Sequence, residues 1–308
     1  MIDLRAQTFG VEIEMTGITR NRAAKTIAAY FGTEASHYGG GYDAHHATDR
    51  QGRTWKAMSD SSIRAQRKDG SHASDLYKTE VVTPILRYSD IEDLQEILRK
   101  LRKAGAVVNE STGIHIHIGA ENFTPATLCN LLKNIRSKED ILYKAIQVKE
   151  NRARYCQKTN QKLIEMIETR RPKTRAKLAD LWYAEAPHGR DQHYNSSRYH
   201  MLNYHACFTH GTIEFRCFQF ANPNAERRGG LHAGELKSYI QLCLALSQMA
   251  LMVKTASPKE PQVENPKYAM RTWLLRLGFI GDEFATAREL LTRNLDGDTA
   301  FRHGRNAA

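Results

Sequence analysis

Three short segments of the chain carry ionisable side chains at every second position, with apolar residues between them. The ionisable residues are Glu12 and Glu14, His115 and His117, and Glu214 and Arg216. Because side chains two apart on a β-strand share a face, each segment predicts a strand with one apolar face and one chemical face. One such strand is typical of a sheet with a wet face. Three of them, bearing carboxylates, imidazoles and a guanidinium, indicate a functional site.

Carboxylates gathered on one face repel one another unless a cation lies among them. Glu80 and Asp60, in the segments 78–84 and 58–62, add two more candidate carboxylates. A carboxylate-rich set with little imidazole and no thiolate is typical of Mg²⁺ or Mn²⁺. The His-x-His pair leaves zinc as an alternative. Because protein-bound Mg²⁺ usually keeps positions for substrate phosphates, the second expected ligand is a nucleotide.

The chain offers no standard phosphate loop for that nucleotide. It contains neither a P-loop motif nor the Gly-rich loop of kinases. The three glycines at 39–41 are not followed by a helix signal, so they predict a flexible loop. We therefore expect metal and arginine to bind the phosphates.

Secondary structure must position these residues. Strands are predicted at 8–15, 54–58, 77–83, 113–119, 201–208 and 211–218. The last two, separated by Thr209 and His210, predict a hairpin. Helices are predicted at 90–104, 125–135, about 226–254, 268–277 and 282–293. Because helices do not join all consecutive strands, the pattern predicts an α+β fold, an antiparallel β-sheet with helices packed on one face.

Composition narrows the class of protein. The 308 residues are 41% hydrophobic, and 45 Lys and Arg against 34 Asp and Glu give a net charge of +11. Such a surface should attract polyanions. No apolar run approaches the roughly 20 residues of a membrane span, and Asp3 and Arg5 interrupt any leader. The sequence therefore predicts a soluble protein that neither spans a membrane nor is secreted.

Five cysteines are scattered without a Cys-x-x-Cys motif. They are Cys129, Cys156, Cys207, Cys217 and Cys243. An odd number at irregular spacing predicts free structural thiols in a reducing, cytoplasmic environment.

Much of the positive charge lies in one segment, 150–177, which holds nine cations and three acids, a net charge of +6. Its apolar residues suit a helix with one buried stripe, which predicts a solvated basic face. Docking of an anionic polymer or nucleic acid is the alternative.

Five motifs, in this order along the chain, resemble the amidoligase family of carboxylate–amine ligases, which belongs with glutamine synthetase and glutamate–cysteine ligase. They are Phe-Gly-Val-Glu-Ile-Glu at 9–14, Trp-Lys-Ala-Met-Ser-Asp-Ser-Ser at 55–62, Glu80 with Pro84, Thr-Gly-Ile-His-Ile-His-Ile at 112–118 and His-Gly-Thr-Ile-Glu-Phe-Arg at 210–216. The resemblance implies a glutamine-synthetase-like catalytic domain over 1–308, with its core at about 8–220. The helical part at about 225–308 carries no matching motif.

The resemblance also implies roles for individual residues. Glu14, Asp60 and Glu80 would hold one metal ion, and Glu12, His115 and Glu214 a second. His117 and Arg216 would contact nucleotide phosphate, and Arg198 and Asn203 would form a polar pair before the last strand that also binds the nucleotide cofactor. Lys56 and Ser61 would contact substrate.

The implied reaction transfers the γ-phosphoryl group of ATP to a carboxylate, and an amine then attacks the acyl phosphate to form an amide or peptide bond. Glu12 and Glu14 would act through the metal, while Arg198 and Arg216 would stabilise the transferring group. The partners would be small-molecule or peptide carboxylates and amines; the sequence sets no oligomeric state. Two alternatives stay open: a nucleic-acid-binding protein that uses 150–177, and a guanidino-kinase-like phosphotransferase.

Overall fold

The structure is a computed structural model, and it describes residues 3–192, 194–220, 230–300 and 302. The chain divides into two compact units. A strand-rich unit comprises Thr8–Ile116 and Phe218–Lys237, and a helix-rich unit comprises Met1–Gln7, His117–Cys217 and Ser238–Ala308. The prediction of one catalytic domain over 1–308 stays a prediction.

The strand-rich unit is built on an antiparallel sheet. Its strands are β1 (Phe9–Met15), β2 (Ala35–Gly39), β3 (Ala44–Thr48), β4 (Thr54–Met58), β5 (Thr79–Val82) and the first half of β6 (Ile114–Gly119), and its helices include α1 (Arg20–Phe31) and α2 (Ile91–Lys103). Within this unit the strand order is β2-β3-β4-β5-β1-β6. The four pairs from β2 to β1 are antiparallel, which confirms the predicted pairing.

Helix α1 covers the apolar face of this sheet. Val11, Ile13 and Met15 alternate along β1 and are at most 1% exposed. The helix packs across β2 to β5, and the ring of Phe31 lies 5.7 Å from that of Trp55 on β4. Burying each such side chain stabilises the fold by about 1.5–3 kcal/mol. The helix is therefore fixed to one face, and the opposite face carries the polar residues of β1.

The helix-rich unit contains the second half of β6 and most of the helices. They are α3 (Pro125–Arg136), α4 (Glu139–Ala145), α5 (Glu150–Ala153), α6 (Gln161–Arg170), α7 (Arg175–Trp182), α8 (His205–Thr209), most of α9 (Ala233–Met252), α10 (Pro266–Arg276) and α11 (Ala285–Leu290), with strands β7 (Leu202–Asn203) and β8 (Thr212–Phe218). β7 and β8 are antiparallel. In the described part of the chain, no helix is both long and apolar enough to cross a membrane.

The predicted hairpin of 201–208 and 211–218 is wrong in its first strand. Only Leu202–Asn203 is extended, and 205–209 forms helix α8. The side chain of Asn203 accepts a hydrogen bond from the backbone N–H of His205 at 2.8 Å, which starts the helix. The Tyr204 hydroxyl donates to the carbonyl of Leu128 at 2.7 Å, anchoring this turn to α3.

Two other predicted helices differ at their ends. In the predicted helix 226–254, residues 226–229 lie outside the described residues, and α9 begins at Ala233. In 282–293, a 3₁₀ turn at Asp282–Phe284 precedes the short helix α11.

Helix α1 and the β2–β3 hairpin were not predicted from the sequence. The hairpin strands, Ala-Ser-His-Tyr-Gly and Ala-His-His-Ala-Thr, lack the apolar alternation that marks a strand. Of the three glycines at 39–41, Gly39 ends β2, and Gly40 and Gly41 lie in the turn between the strands, in agreement with the predicted loop. Gly39 and Gly40 have φ near +75°, a conformation that favours glycine.

Candidate active site

The candidate residues divide between the two units. Glu12, Glu14, Lys56, Asp60, Ser61, Glu80 and His115 lie in the strand-rich unit, and His117, Arg198, Asn203, Glu214 and Arg216 in the helix-rich unit.

In the strand-rich unit, two buried carboxylates face each other across neighbouring strands. The antiparallel register of β1 and β5 places Glu14 opposite Glu80, and these residues are 3% and 7% exposed. Glu12, two residues from Glu14, shares their face and is less buried. Like charges directly opposite on a sheet destabilise it, and burial strengthens the repulsion. This pair therefore favours a bound cation.

A buried imidazole lies between two of these carboxylates. Nδ1 of His115 is 3.0 Å from Oε2 of Glu12, and its Nε2 is 3.9 Å from Oε1 of Glu14. Because an ionised carboxylate only accepts hydrogen bonds, Nδ1–H of His115 donates to Glu12, and Nε2 lies on the Glu14 side. The backbone N–H of Gly113 donates to Glu14 at 2.6 Å. These contacts orient both groups, as outer-shell partners orient metal ligands.

The side chains form two overlapping trios. In Glu14, Asp60 and Glu80, and again in Glu12, Glu80 and His115, each residue offers one ligand atom within 4.8 Å of the other two. The donor set is rich in oxygen, largely buried and free of thiolate, so it fits Mg²⁺ or Mn²⁺. Glu80 belongs to both trios, an arrangement suited to two neighbouring ions.

Asp60 reaches this set from the loop after β4. Its carboxylate accepts a hydrogen bond from the backbone N–H of Ser62 at 2.6 Å, which fixes the turn. The structure thus brings together Glu14, Asp60 and Glu80, the three residues assigned to one ion from the sequence. Their binding of metal stays a prediction.

The two predicted substrate residues lie nearby in the same unit. Lys56 pairs with Val82, which pairs with Glu12, so Lys56 lies on the carboxylate face, where it is exposed. Ser61 is exposed in the turn that follows Asp60. The structure therefore leaves both side chains accessible to a substrate.

In the helix-rich unit, Glu214 is the centre of a buried polar group. Its carboxylate forms an ion pair with Arg216 and accepts a hydrogen bond from the Asn203 amide at 2.5 Å. All three residues are at most 7% exposed. Asn203, predicted to bind the nucleotide cofactor, therefore orients Glu214. The role of Glu214 as a ligand of a second ion stays a prediction.

His117 and Thr212 complete this group. Nδ1 of His117 is 3.0 Å from the Thr212 hydroxyl, and its Nε2 is 4.0 Å from Oε1 of Glu214. Thr212 is the first residue of β8, two positions before Glu214. The two side chains therefore share a face of the strand. The Thr212 hydroxyl was not among the predicted site groups.

The two predicted phosphate-binding arginines lie near one aromatic ring. The guanidinium carbons of Arg198 and Arg216 are 5.9 and 6.0 Å from the ring centroid of Tyr199. Tyr194 contacts Arg198 from a second position, at 5.4 Å. Guanidinium groups held by aromatic faces keep donors available for planar anions. Tyr199 was missed from the sequence; the one available signal was its position next to Arg198.

The five cysteines are free and buried, which confirms the prediction of free thiols. Burial raises the pKa of the Cys129 and Cys207 thiols to about 11 and also raises the pKa of Cys156, Cys217 and Cys243. Thiolates, the reactive form, are therefore scarce at neutral pH. None of these cysteines suits a nucleophilic role.

We expect the native protein to react slowly with Ellman's reagent and all five thiols to react once guanidinium unfolds it. The count in denaturant is the internal control. Rapid stoichiometric labelling of the native protein would contradict the burial of these thiols.

The basic segment folds mainly as α6 and α7. Leu163, Ile164 and Ile167 form the buried stripe of α6, as the sequence predicted. Lys158 and Lys162 form ion pairs with Asp140 and Glu185. Two further cations serve the fold: Arg152 is buried, and Arg175 donates to the carbonyls of Ala120 and Phe123. The segment thus favours a structural basic face, and anion docking stays a prediction.

Comparison with known proteins gives one family match. A family model described as "Putative amidoligase enzyme" matches residues 5–247. Among solved structures, the chain is similar to a bifunctional glutathione synthetase from Pasteurella multocida, with a TM-score of 0.45 and 13% identity over 94% of this chain and 48% of that one. The chain therefore spans about half the length of that protein. No curated protein matches the chain.

Proposed function

This chain belongs to the amidoligase family of carbon–nitrogen-ligating enzymes, and on that premise we propose that it is an ATP- and Mg²⁺-dependent carboxylate–amine ligase. We further propose that it acts through an acyl phosphate and that its catalytic domain is of the glutamine-synthetase type. The observation that carries the proposal is the buried pair Glu14 and Glu80, with a carboxylate oxygen of Asp60 within 4.8 Å of one from each.

A bound metal ion would offset the electrostatic repulsion between the two carboxylates of that pair. Glu14 and Glu80 would hold the first ion with Asp60, and Glu12 and His115 would hold a second with Glu80. When bound, Mg²⁺ supplies positive charge that neutralises nucleotide phosphates. The protein keeps the carboxylates buried and oriented, so that binding needs little reorganisation of the site.

Arginines would bind the phosphoryl group during transfer. We assign this role to Arg198 and Arg216, whose guanidinium groups lie near the ring of Tyr199. His117, beside Glu214, would also contact phosphate. In the first step a substrate carboxylate oxygen attacks the γ-phosphorus and ADP leaves. In the second, the amine nitrogen attacks the acyl carbon, phosphate leaves with that oxygen, and the amine proton passes to a base.

A trapping experiment tests this chemistry. The protein is incubated with ATP, Mg²⁺ and pooled ¹⁸O-carboxylate amino acids and acidic peptides, first with polyamines and amino acids as amines and then with hydroxylamine. We expect ADP, a condensation product, a hydroxamate and one ¹⁸O in the released phosphate.

One result would reject the ligase and another its intermediate. A stable phosphorylated product without hydroxamate would assign a guanidino-kinase-like phosphotransferase instead. A condensation product formed without ¹⁸O in the released phosphate would exclude the acyl phosphate. Glu96→Gln is the matched control, because Glu96 is an exposed residue of α2 paired with Arg99.

Lys56→Ala should weaken binding of the carboxylate substrate. A charge-assisted hydrogen bond contributes about 1.5–3 kcal/mol, so we expect KM for that substrate to rise about 10–100-fold while kcat changes little. Steady-state kinetics with the carboxylate found in the pool measures both. An unchanged KM would remove Lys56 from the substrate site.

A further inference from the structure

The β2–β3 hairpin carries a second group of metal-ligand types, separate from the carboxylates. The antiparallel register places His37 directly opposite His45, and their rings stack with centroids 4.5 Å apart. Oδ1 of Asp43, in the turn before β3, is 2.8 Å from Nε2 of His37. One ligand atom from each of these three residues lies within 4.8 Å of the other two.

This group lies on the other face of the sheet from the carboxylates. His46 pairs with Lys56, and the same row continues through Val82 to Glu12, so His46 is on the carboxylate face. Because neighbouring residues of a strand point to opposite faces, His45 is on the face of α1. The two groups therefore have no ligand in common.

A buried arginine fixes the carboxylate of this group. Arg20 is 5% exposed, and its Nε and a terminal nitrogen donate to Oδ2 of Asp43. Its remaining terminal nitrogen donates to the carbonyls of Asp75 and Lys78 at 2.7 and 3.1 Å. Asp43 thus presents Oδ1 to the two imidazoles, as outer-shell partners present ligands in metal sites.

The ligand types select a class of metal. Two imidazoles and one carboxylate suit Zn²⁺, Co²⁺ or Fe²⁺, whereas Mg²⁺ prefers oxygen ligands only. The side chain of His37 is 58% exposed, so its ring has room to turn towards a shared ion. The positive charge of Arg20 lowers the affinity of this group for a cation. However, both hydrogen bonds that Arg20 donates to Asp43 go to Oδ2, so Oδ1, the oxygen that would bind the ion, is not bonded to the guanidinium.

We propose that His37, Asp43 and His45 form a site for one divalent transition-metal ion of the zinc class. A bound ion would join β2 to β3 and, through Asp43 and Arg20, to the start of α1. It would therefore stabilise a hairpin whose own residues bury little apolar surface. The site is independent of the proposed ligase chemistry.

Co²⁺ and Zn²⁺ are the probes. Full-length protein freed of metal by chelator is titrated with Co²⁺, followed by visible d–d absorption, and then with Zn²⁺. We expect one low-coordinate Co²⁺ per chain with an intense d–d spectrum, distinct from the weak bands of octahedral Co²⁺ at the carboxylates, displacement by Zn²⁺, and a higher Tm with Zn²⁺. His45→Ala should weaken Co²⁺ binding at least about tenfold and remove the Tm shift.

Matched variants distinguish Co²⁺ bound at the hairpin from Co²⁺ bound at the carboxylates. His46→Ala, one residue away on the other face, and Glu80→Gln, in the carboxylate set, should both keep the Co²⁺ spectrum. His37→Gln serves as a second ligand variant should His45→Ala fail to fold by circular dichroism. Absence of the intense low-coordinate d–d band, or an equal affinity for the Co²⁺ that gives this band in wild type and His37→Gln, would overturn the proposal and leave the His37–Asp43 contact as a structural hydrogen bond.

Discussion

Glu14→Gln is expected to reduce ATP-dependent ligase activity at least about 10²–10³-fold, the loss that follows removal of one group stabilising transition-state charge. The same change should raise the Tm of the metal-free protein. Opposed like charges cost up to about 1 kcal/mol, and each kcal/mol shifts Tm by about 2–4 °C in a chain of this size, so a rise of up to about 2–4 °C is expected. The glutamine still accepts the hydrogen bond from Gly113.

The opposite signs of these two effects make the test specific. A variant that only damaged the fold would lose activity and stability together. Mg²⁺ should raise the Tm of wild type more than that of Glu14→Gln, because the variant lacks one ligand charge. Glu96→Gln on the exposed surface of α2 should behave like wild type. Retained ATP turnover in Glu14→Gln would contradict the role of this carboxylate in metal binding.

Arg216→Met is expected to destabilise the protein by about 3–5 kcal/mol, the cost of breaking a buried ion pair from one side. Arg216 and Glu214 are 7% and 4% exposed, so the remaining carboxylate has little access to water. Urea unfolding followed by circular dichroism measures the change. We also expect the variant to lose ligase activity, because Arg216 is assigned to the transferring phosphoryl group.

The double variant Glu214→Gln with Arg216→Met tests whether the buried negative charge of Glu214 causes this loss of stability. The neutral amide can still accept from Asn203, so the double variant should recover much of the lost stability without recovering activity. A double variant as unstable as Arg216→Met alone would show that the guanidinium stabilises this region through packing. Arg216→Lys keeps the charge and should be less destabilising than Arg216→Met.

The sequence predicted the strands with regular alternation more accurately than those without it. In β1, three apolar residues alternate with two glutamates, so both the strand and its buried face could be predicted. In β2 and β3, apolar residues do not mark a face, and the hairpin was missed. The segment of helix α8 was predicted as strand. Residue alternation does not reveal the hydrogen bond from the backbone N–H of His205 to the Asn203 side chain, which starts the helix.

The candidate site shows the same division. Residue pattern identified Glu14 and Glu80 as candidate carboxylates, and the family resemblance grouped them around one ion. The register of β1 and β5 shows how they meet, directly opposite each other on neighbouring strands. Periodicity places a side chain on a face and says nothing about which strand lies beside it. Tyr199 depends on tertiary packing of the loop before β7, and short-range pattern could not reveal its contacts with two arginines.

The charge excess had less predictive value than these few acids. Of the cations in the segment 150–177, Lys158 and Lys162 form ion pairs and Arg152 and Arg175 serve the fold. Net charge predicts long-range attraction, whereas chemistry depends on the contacts of single side chains.

The carboxylates on the β1–β5 face are expected to bind the divalent cation. Mn²⁺ titration followed by electron paramagnetic resonance tests it most directly, since binding removes the signal of free hydrated Mn²⁺. The comparison is made between His45→Ala and His45→Ala with Glu80→Gln, so that the hairpin residues do not contribute. We predict tight Mn²⁺ binding in the first and at least about tenfold weaker binding in the second, because Glu80 belongs to both trios. Equal Mn²⁺ affinity in the two proteins would contradict the claim.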